Sequence, residues 1–459
     1  MKVEAIVCID SNNGISKDGK LPWLDNNIGD LEYVRILTST VSIGKKNIII
    51  VGSKTFETLP PSFSDTQTNR EVFVLSKSNN NYYNDPKKLY IHLMQRYYTK
   101  DDIDRVFVFG GAEIYKIFLL NNYIDTFYIT QLDSAYTCNT FFPKKELIDN
   151  FTMCSSSNRD KKGRTFQIWN RIDHPEYKYI GLLQKALYTG EYRNGRNGET
   201  HSLFGEFIEF DIEKYGFPLL TTKKMFFRGI AEELFWFLKA DTNANNLKDK
   251  GVHIWDGNTT REYLDSIGLT SYPDGIAGPI YGFQWRNFNG EYIPNGSIEL
   301  ETSRDQLYNC LKDIKYNNTS RRIIFSGWNP NQLQEMCLPP CHVLYQFYVN
   351  NGKLNCQMYQ RSADLFLGLP FNIASTALLT SILSNMCGLI AGKIRICIGD
   401  AHIYKEHRDC VLEQITRKPL KFCNLTINNT REKLEEWTYN DISIEEYVSH
   451  GILKAVMKA

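Results

Sequence analysis

A chain of 459 residues with a formal net charge of +1 has length for two or three domains and no charge imbalance that points to a polyanionic partner. No extended basic block runs through it, which disfavours generic nucleic-acid binding, and no apolar run reaches the roughly 18 residues that span a bilayer. Eleven cysteines, an odd number without paired CxxC spacing, suit free thiols in a reducing compartment rather than a disulfide framework or a structural zinc site.

The opening "MKVEAIVCID" has no signal-peptide apolar region, so the expectation is a cytoplasmic protein with no membrane segment. From Met1 to about Ile172, short strands alternate with helical segments. "VEAIVCI", "NIIIVG", "REVFVLS", "RVFVFGG", "TFYITQL" and "TFQIWNRI" read as strands. Continuous apolar runs such as "NIIIV" suit strands covered on both faces, which predicts an α/β domain with a mostly parallel sheet flanked by helices. In "VFVFGGAEIYKIFLL" a strand passes through Gly110, Gly111 and Ala112 into a helix, where backbone can approach a pyrophosphate. A glycine pair serves tight turns as often, so by itself it decides nothing. "GSKTFETLP" repeats the pattern with Gly52, Ser53, Lys54 and Thr55, and Ser76 and Lys77 close the strand in "VFVLSK". Cations after successive strand ends suit a phosphate-bearing dinucleotide, although a single surface lysine is more often just solvated.

"NGISKDGKLPWLDNNIGDLEYV" is more distinctive: a glycine-bearing loop with Gly14, then Leu-Pro-Trp, then an acidic residue opening a helix. An aspartate there is usually a cap. The combination resembles dihydrofolate reductase across the whole N-terminal domain. The resemblance implies that Asp30 is the carboxylate that binds the pterin and assists its protonation, with Thr130 in "YITQLD" supporting it. Arg70 would grip the folate α-carboxylate, where a planar fork suits the anion. Gly14, Gly52, Ser53, Lys54, Thr55, Ser76, Lys77, Gly110, Gly111 and Ala112 would contact NADPH. The stretch from Trp23 to Asp30 is slightly longer than usual, which leaves Asp25 open as an alternative acid. Val34 stands at a folate-facing position where relatives commonly place phenylalanine, which removes aromatic contact area.

"IWNRIDHPEYKYIGLLQKAL" changes register with almost no linker. Tyr177, Ile180, Gln184 and Leu187 share a helical face after a proline near the start, so the expected domains are 1–172 and 173–459. On "RGIAEELFWFL", Glu233 shares its face with Ile230 and Phe237. A carboxylate on an apolar stripe is costly unless paired or functional, and burial would raise its pKa toward acid–base use. Neighbouring Glu232 suits a rim salt bridge.

"HVLYQFYV" and "KLNCQMYQ", joined by "NNG", read as a β-hairpin. With a loop of Asn350 to Gly352, Val349 pairs with Lys353 and Cys341 falls opposite Arg361. A one-residue shift moves that partner only to Gln360 or Ser362. A guanidinium beside a thiol favours the thiolate and pulls its pKa below about 8.5. Pro339 and Pro340 end regular pairing and leave Cys341 at a rim. Most free cysteines are inert and buried, the reading preferred for the other ten.

"RNGETHSLFGE", "FPLLTTKK", "EELFWFLKADTN", "HIWDGN", "GPIYGFQWR", "SRRIIFSGWN", "LPPCH", "QRSADLFLGLPFNIAS" and "GDAHIYKEH" follow one another in the order found in thymidylate synthase. They cover most of 173–459, and the whole chain resembles the bifunctional dihydrofolate reductase–thymidylate synthase family. That resemblance implies an α+β second domain that methylates dUMP with methylenetetrahydrofolate as co-substrate, with Cys341 as the nucleophile. Arg196, Arg321, Arg322, Arg361 and Ser362 would hold the 5′-phosphate, the "SRR" pair reaching in from the other subunit of a homodimer. Gln360, Asp364 and Asn372 would line the base, His402 and Tyr404 the ribose, and Trp255, Asp364 and Gly368 the folate. Glu233, Tyr281 and His342 would serve proton transfer. An amide at 372 suits uracil, whereas aspartate would suit cytosine, which argues against a dCMP hydroxymethylase. Two other rivals are a synthase whose N-terminal domain has lost its reductase activity, and an RNA-binding cleft; NADPH oxidation and a salt-dependent RNA titration separate them. Relatives close their final residues over bound ligands and commonly end in Ala-Val; the tail "AVMKA" is expected to close with altered contacts.

Overall fold

The computed structural model describes residues 1–24, 30–64, 69–195, 197–294 and 300–458. The chain divides into two compact units, Met1–Asp173 with Thr416–Lys418, and His174–Ile415 with Pro419–Ala459.

The first unit contains β1 (Val3–Ile9), β2 (Gly14–Ser16), β3 (Lys46–Gly52), β4 (Arg70–Leu75), β5 (Ile103–Val108), β6 (Thr126–Leu132), β7 (Thr140–Phe141), β8 (Phe151–Ser156) and β9 (Arg164–Arg171). Seven of these form one sheet in the order β4-β3-β5-β1-β6-β9-β8. The first five in that order run parallel, β9 returns antiparallel beside β6, and β8 at the edge is antiparallel to β9. Both faces are covered, as the unbroken apolar runs require. Ala5, Val7, Ile48, Ile50, Val106 and Val108 pack with the helices α3 and α4 described next. Ile6, Ile49 and Phe107 pack with Val34 and Leu37, which belong to α1 (Leu31–Ser39). The other helices include α2 (Ser53–Phe56), α3 (Pro86–Lys100) and α4 (Ala112–Leu120), with a short one at Lys144–Ile148. Sequence periodicity missed β8, whose "FTMCSS" buries only Phe151 and so carries no alternating signal.

The second unit opens with α5 (Glu176–Thr189), followed by β10 (Glu191–Gly195), β11 (Gly198–Asp211), α6 (Phe227–Leu238), β12 (Ile324–Ser326), β13 (His342–Asn350), β14 (Lys353–Asp364), α7 (Gly368–Met386) and β15 (Ile390–Tyr404). Its sheet has the order β10-β11-β15-β14-β13-β12. Only β14 and β15 pair in parallel, and α7 supplies the crossover that such a pair needs. α7 is buried nearly all round, the pattern of a core helix. Tyr345, Phe347, Met358, Ile394, Ile396 and Ile398 turn into the same core. On the opposite face the register places Leu344, Tyr359, Cys397 and Phe207 in one row across four strands. Tyr359 and Phe207 are 41% and 55% exposed there.

Two expectations need correction. α5 buries Tyr179, Ile180, Leu183, Ala186 and Leu187, whereas Tyr177 and Gln184 lie at the half-buried margin. The apolar stripe is rotated from the one expected. In the hairpin, Asn350 pairs with Lys353 and Val349 with Leu354, so the turn is Asn351–Gly352. Both turn residues have positive φ, 49° and 72°, the geometry that matches strand twist. That shorter turn alone would set Cys341 opposite Ser362. A bulge between His342 and Leu344 takes up one residue, and the Arg361 N–H donates to the Cys341 carbonyl at 3.0 Å.

Candidate active sites

In the first unit, Asp30 caps the position where α1 begins and is buried. The Thr130 hydroxyl on β6 donates to Asp30 Oδ2 at 2.6 Å. Burial raises the carboxyl above its ordinary pKa, and the threonine bond only partly offsets this. Asp25 lies outside the described residues. Val34 stands in the apolar wall beside Ile6, Ile49 and Phe63. Arg70 is buried at the start of β4, its guanidinium 4.8 Å from the centre of the Phe63 ring. Nη2 reaches the Arg35 carbonyl at 3.4 Å, while the buried Nε has no hydrogen-bond partner among the described residues. A buried donor of this kind fits an incoming carboxylate.

The sheet's C-terminal edge gathers the glycines. The Gly52 N–H donates to the Gly110 carbonyl at 2.8 Å, joining the ends of β3 and β5. Gly110 has φ of 91°, and a Cβ there would stand 2.6 Å from the Tyr115 ring, so glycine is required. Gly111 precedes Ala112 and α4 with no side-chain cap, which leaves first-turn N–H groups suited to a phosphate. Thr55 faces Gly111, with Oγ1 3.3 Å from where a Cβ would sit. Ser53 is half-buried and Lys54 exposed on α2, and Ser76 Oγ accepts from the Asn79 N–H at 3.2 Å. Lys77 is exposed and paired with Glu113 rather than free. The Gly14 N–H donates to Asp10 Oδ1 at 2.6 Å, and a Cβ at Gly14 would meet the Cys138 sulfur at 2.5 Å.

In the second unit, the half-buried Cys341 directly precedes β13. Its N–H donates to the Tyr281 hydroxyl oxygen at 2.7 Å, which leaves the phenol proton for the sulfur. Tyr281 holds φ of 25°, a backbone that L residues rarely adopt, and its ring stacks on Phe237 at 4.8 Å. Arg361 donates Nε to the Pro340 carbonyl at 2.9 Å and Nη2 to the Pro339 carbonyl at 2.7 Å. The two prolines therefore supply acceptors as well as a break in the strand. Against expectation, the Cys341 thiol lies above the ordinary cysteine range: burial dominates, and the Arg361 charge and Tyr281 hydrogen bond offset only part of it. Alkylation of Cys341 by iodoacetamide, followed by peptide mass spectrometry, should rise through alkaline pH with a midpoint above the free-thiol value of about 8.5. A midpoint below it would contradict the balance described.

His342 is buried and accepts from or donates to the Tyr345 hydroxyl through Nδ1 at 3.1 Å. Burial pushes it down to about 4, so it is neutral at physiological pH. Asn372 on α7 accepts from Gln360 Nε2 at 2.8 Å, which fixes the orientation of its amide, and Gln360 also donates to the Ser362 carbonyl at 3.0 Å. Glu233 on α6 accepts from Trp255 Nε1 at 2.8 Å, and burial raises its carboxyl to about 7. Glu232 pairs with Lys250 at 2.7 Å. Asp364 Oδ1 accepts from the N–H groups of Phe366 and Leu367 at 2.9 and 3.2 Å, turning the chain toward Gly368 and α7. Burial opposes its ionisation, but His407 and those N–H groups hold it below the usual carboxylate range. On β15, His402 Nδ1 lies 3.1 Å from Asp400, and the His402 and Tyr404 rings are 5.1 Å apart.

Arg196 lies outside the described residues. Arg321 and Arg322 are exposed just before β12, and the β12–β13 register places them beside Val349 and Tyr348. That is roughly 23 to 26 Å along the strand from Cys341 at about 3.3 Å per residue, beyond the reach of an arginine side chain. The subunit therefore does not bring them to its own thiol. Two buried groups escaped the sequence reading. His407 sits with Nδ1 3.6 Å from Asp364 and donates Nε2 to the Val456 carbonyl at 2.9 Å. It is the second histidine of "GDAHIYKEH", and the segment itself carries no signal that pairs it with Asp364. Lys223 places Nζ 4.1 Å from the centre of the Phe366 ring and donates to its carbonyl, and burial lowers it to about 8.

The Dihydrofolate reductase family profile matches residues 2–171, and the Thymidylate synthase profile matches 177–459. Among curated relatives, a putative bifunctional dihydrofolate reductase-thymidylate synthase of Oryza sativa subsp. japonica is 37% identical over 97% of this chain and 99% of its own length. The bifunctional protein of Daucus carota is 38% identical over 99% of this chain and 95% of its own. That of Leishmania amazonensis is 35% identical over 98% and 94%.

Proposed function

The chain belongs to the bifunctional dihydrofolate reductase–thymidylate synthase family, and we propose that residues 1–172 and 173–459 carry the two halves of one cycle. It methylates dUMP to dTMP and reduces the resulting dihydrofolate to tetrahydrofolate. When bound, methylenetetrahydrofolate supplies the carbon and hydride of the methylation, and NADPH supplies the hydride of the reduction.

In the synthase part, Cys341 Sγ bonds to carbon 6 of dUMP as thiolate, moving the ring's electron pair toward carbon 5 and O4. Expulsion of the thiolate at the end restores the 5,6 double bond. Tyr281 and His342 assist removal of the carbon-5 proton. Glu233, poised near 7, exchanges a proton at the base. Asn372, oriented by Gln360, reads the uracil edge. Arg361, Ser362 and Arg196 hold the phosphate, His402 and Tyr404 the ribose, and Trp255, Asp364 and Gly368 the folate. The observation that carries this reading is the bulged hairpin, which sets Cys341 beside Arg361 and Tyr281. An assay with dUMP, methylenetetrahydrofolate and NADPH tests it: dTMP should accumulate while tetrahydrofolate is regenerated, and no dTMP would end the proposal.

In the reductase part, Asp30 with Thr130 delivers a proton to the pterin, Arg70 binds the folate carboxylate, and the glycine edge from Gly14 to Ala112 receives NADPH. Arg70→Met should raise the dihydrofolate KM by about 10- to 100-fold, the loss of charge-assisted hydrogen bonds, with kcat little changed. An unchanged KM in steady-state kinetics would remove Arg70 from the site.

The active form is a homodimer built on the second unit. Its Leu344–Tyr359–Cys397–Phe207 row, half-buried at Leu344 and Cys397 and exposed at Tyr359 and Phe207, is an apolar face that a second copy fits. Arg321 and Arg322 then complete the partner's phosphate site. Mixing inactive Cys341→Ala with inactive Arg322→Ala subunits should restore dTMP formation, because mixed dimers hold one intact site; no recovery after subunit exchange would overturn this arrangement. The free thiols suit a reducing, cytoplasmic compartment. Among the described residues, no helix is long and apolar enough to cross a membrane.

A further inference from the structure

Asp30 does not sit alone beneath α1. Thr130, which hydrogen-bonds it, pairs across β6 and β9 with Phe166, so both side chains face the same way. Tyr33, three residues into α1 from Asp30, packs its ring 4.9 Å from Phe166. Arg164 lies two residues from Phe166 on the same face of β9, its guanidinium 5.4 Å from the centre of that ring. Asp160 holds it there, accepting from Nε at 2.8 Å and lying 2.7 Å from Nη2. The arginine side chain is only 18% exposed, so its field is weakly screened.

Resting on the reading of Asp30 as the reductase proton donor, we propose that Arg164 is a positioning residue for that reaction. Its guanidinium, aimed by Asp160 and Phe166, sets the pH range over which Asp30 carries the proton. The other titratable groups around Asp30 are Cys8 on β1 with Asp10 beyond it, Tyr33 on α1 and Tyr115 on α4. Burial raises Cys8, Tyr33 and Tyr115, which keeps them neutral in the physiological range. Among the described residues, Arg164 is the cation that acts on Asp30, and it opposes the upward push of burial. The sign follows: Arg164 favours the carboxylate, so its removal keeps Asp30 protonated to higher pH.

The test is the pH profile of single-turnover hydride transfer from NADPH to dihydrofolate by the full-length protein. Reductase activity requires the protonated acid, so the rate falls as pH rises through the Asp30 midpoint. Arg164→Met should move that midpoint up by about half to one unit, the size of a partly screened charge acting through space without direct contact. The low-pH plateau should stay within about twofold, and Arg164→Lys should restore most of the profile. Asp160→Asn removes the neutralising partner and should move the midpoint down. A structural role for the pair would move both variants in one direction or lower the plateau, and that result overturns the proposal. Asp30→Asn separates the two readings. If it retains full turnover, the acid assignment fails; if it loses turnover while Arg164→Met leaves the midpoint in place, only the role of Arg164 fails.

Discussion

Cys341→Ala should abolish dTMP formation, with a loss of at least about four orders of magnitude, while oxidation of NADPH by dihydrofolate should continue at the parent rate. No other group described near the site can replace the sulfur as nucleophile. His342 is buried against Tyr345, and Tyr281 is held far above neutrality by burial. Removing a nucleophile also leaves its supporting groups without a task, so the loss approaches that of the whole constellation. Alanine at 341 keeps the backbone N–H to Tyr281 and the carbonyl to Arg361, so the hairpin should remain folded. Separate spectrophotometric assays of the two activities on one preparation decide it. Retained dTMP formation would displace Cys341, and joint loss of both activities would contradict separate sites.

Asp30→Asn should do the reverse. Reductase turnover at neutral pH should fall about 10²- to 10³-fold, the usual contribution of a positioned acid, with dTMP formation intact. The amide still accepts from Thr130, so folate should bind, but it carries no proton to deliver. The deficit should shrink as pH falls, because solvent protonation of dihydrofolate then bypasses the missing acid. If the corresponding change at Asp25 costs more, the acid is misassigned.

Much of this was legible because periodicity is a property of neighbours. The runs in "NIIIVG" and "TFYITQL" fill both faces of a parallel sheet, and the residues themselves announce that burial. Glu233 on its apolar stripe gave its elevated pKa in the same way. What stayed hidden depends on contacts distant in sequence. Nothing local says that burial of the thiol would exceed what Arg361 and Tyr281 together offset, since Tyr281 itself comes from sixty residues upstream. The His407–Asp364 pairing joins a helix start to a strand end forty-three residues earlier. The stripe of α5 was misplaced because Tyr179 and Ile180 are adjacent, and an isolated helix does not reveal which side of that pair the core will cover.

The extra residue in β13 has a consequence for how this half of the protein tolerates change in length. The turn at Asn351–Gly352 and the unpaired Val343 together fix which strand position meets Arg361. Shortening either arm by one residue would present the sulfur to the wrong neighbour and send every intervening aromatic to the opposite face. Trimming both arms together keeps the alignment. Lineages of this sequence should therefore gain or lose hairpin residues in matched pairs, one on each side of the turn, and a lone deletion there should be an evolutionary dead end.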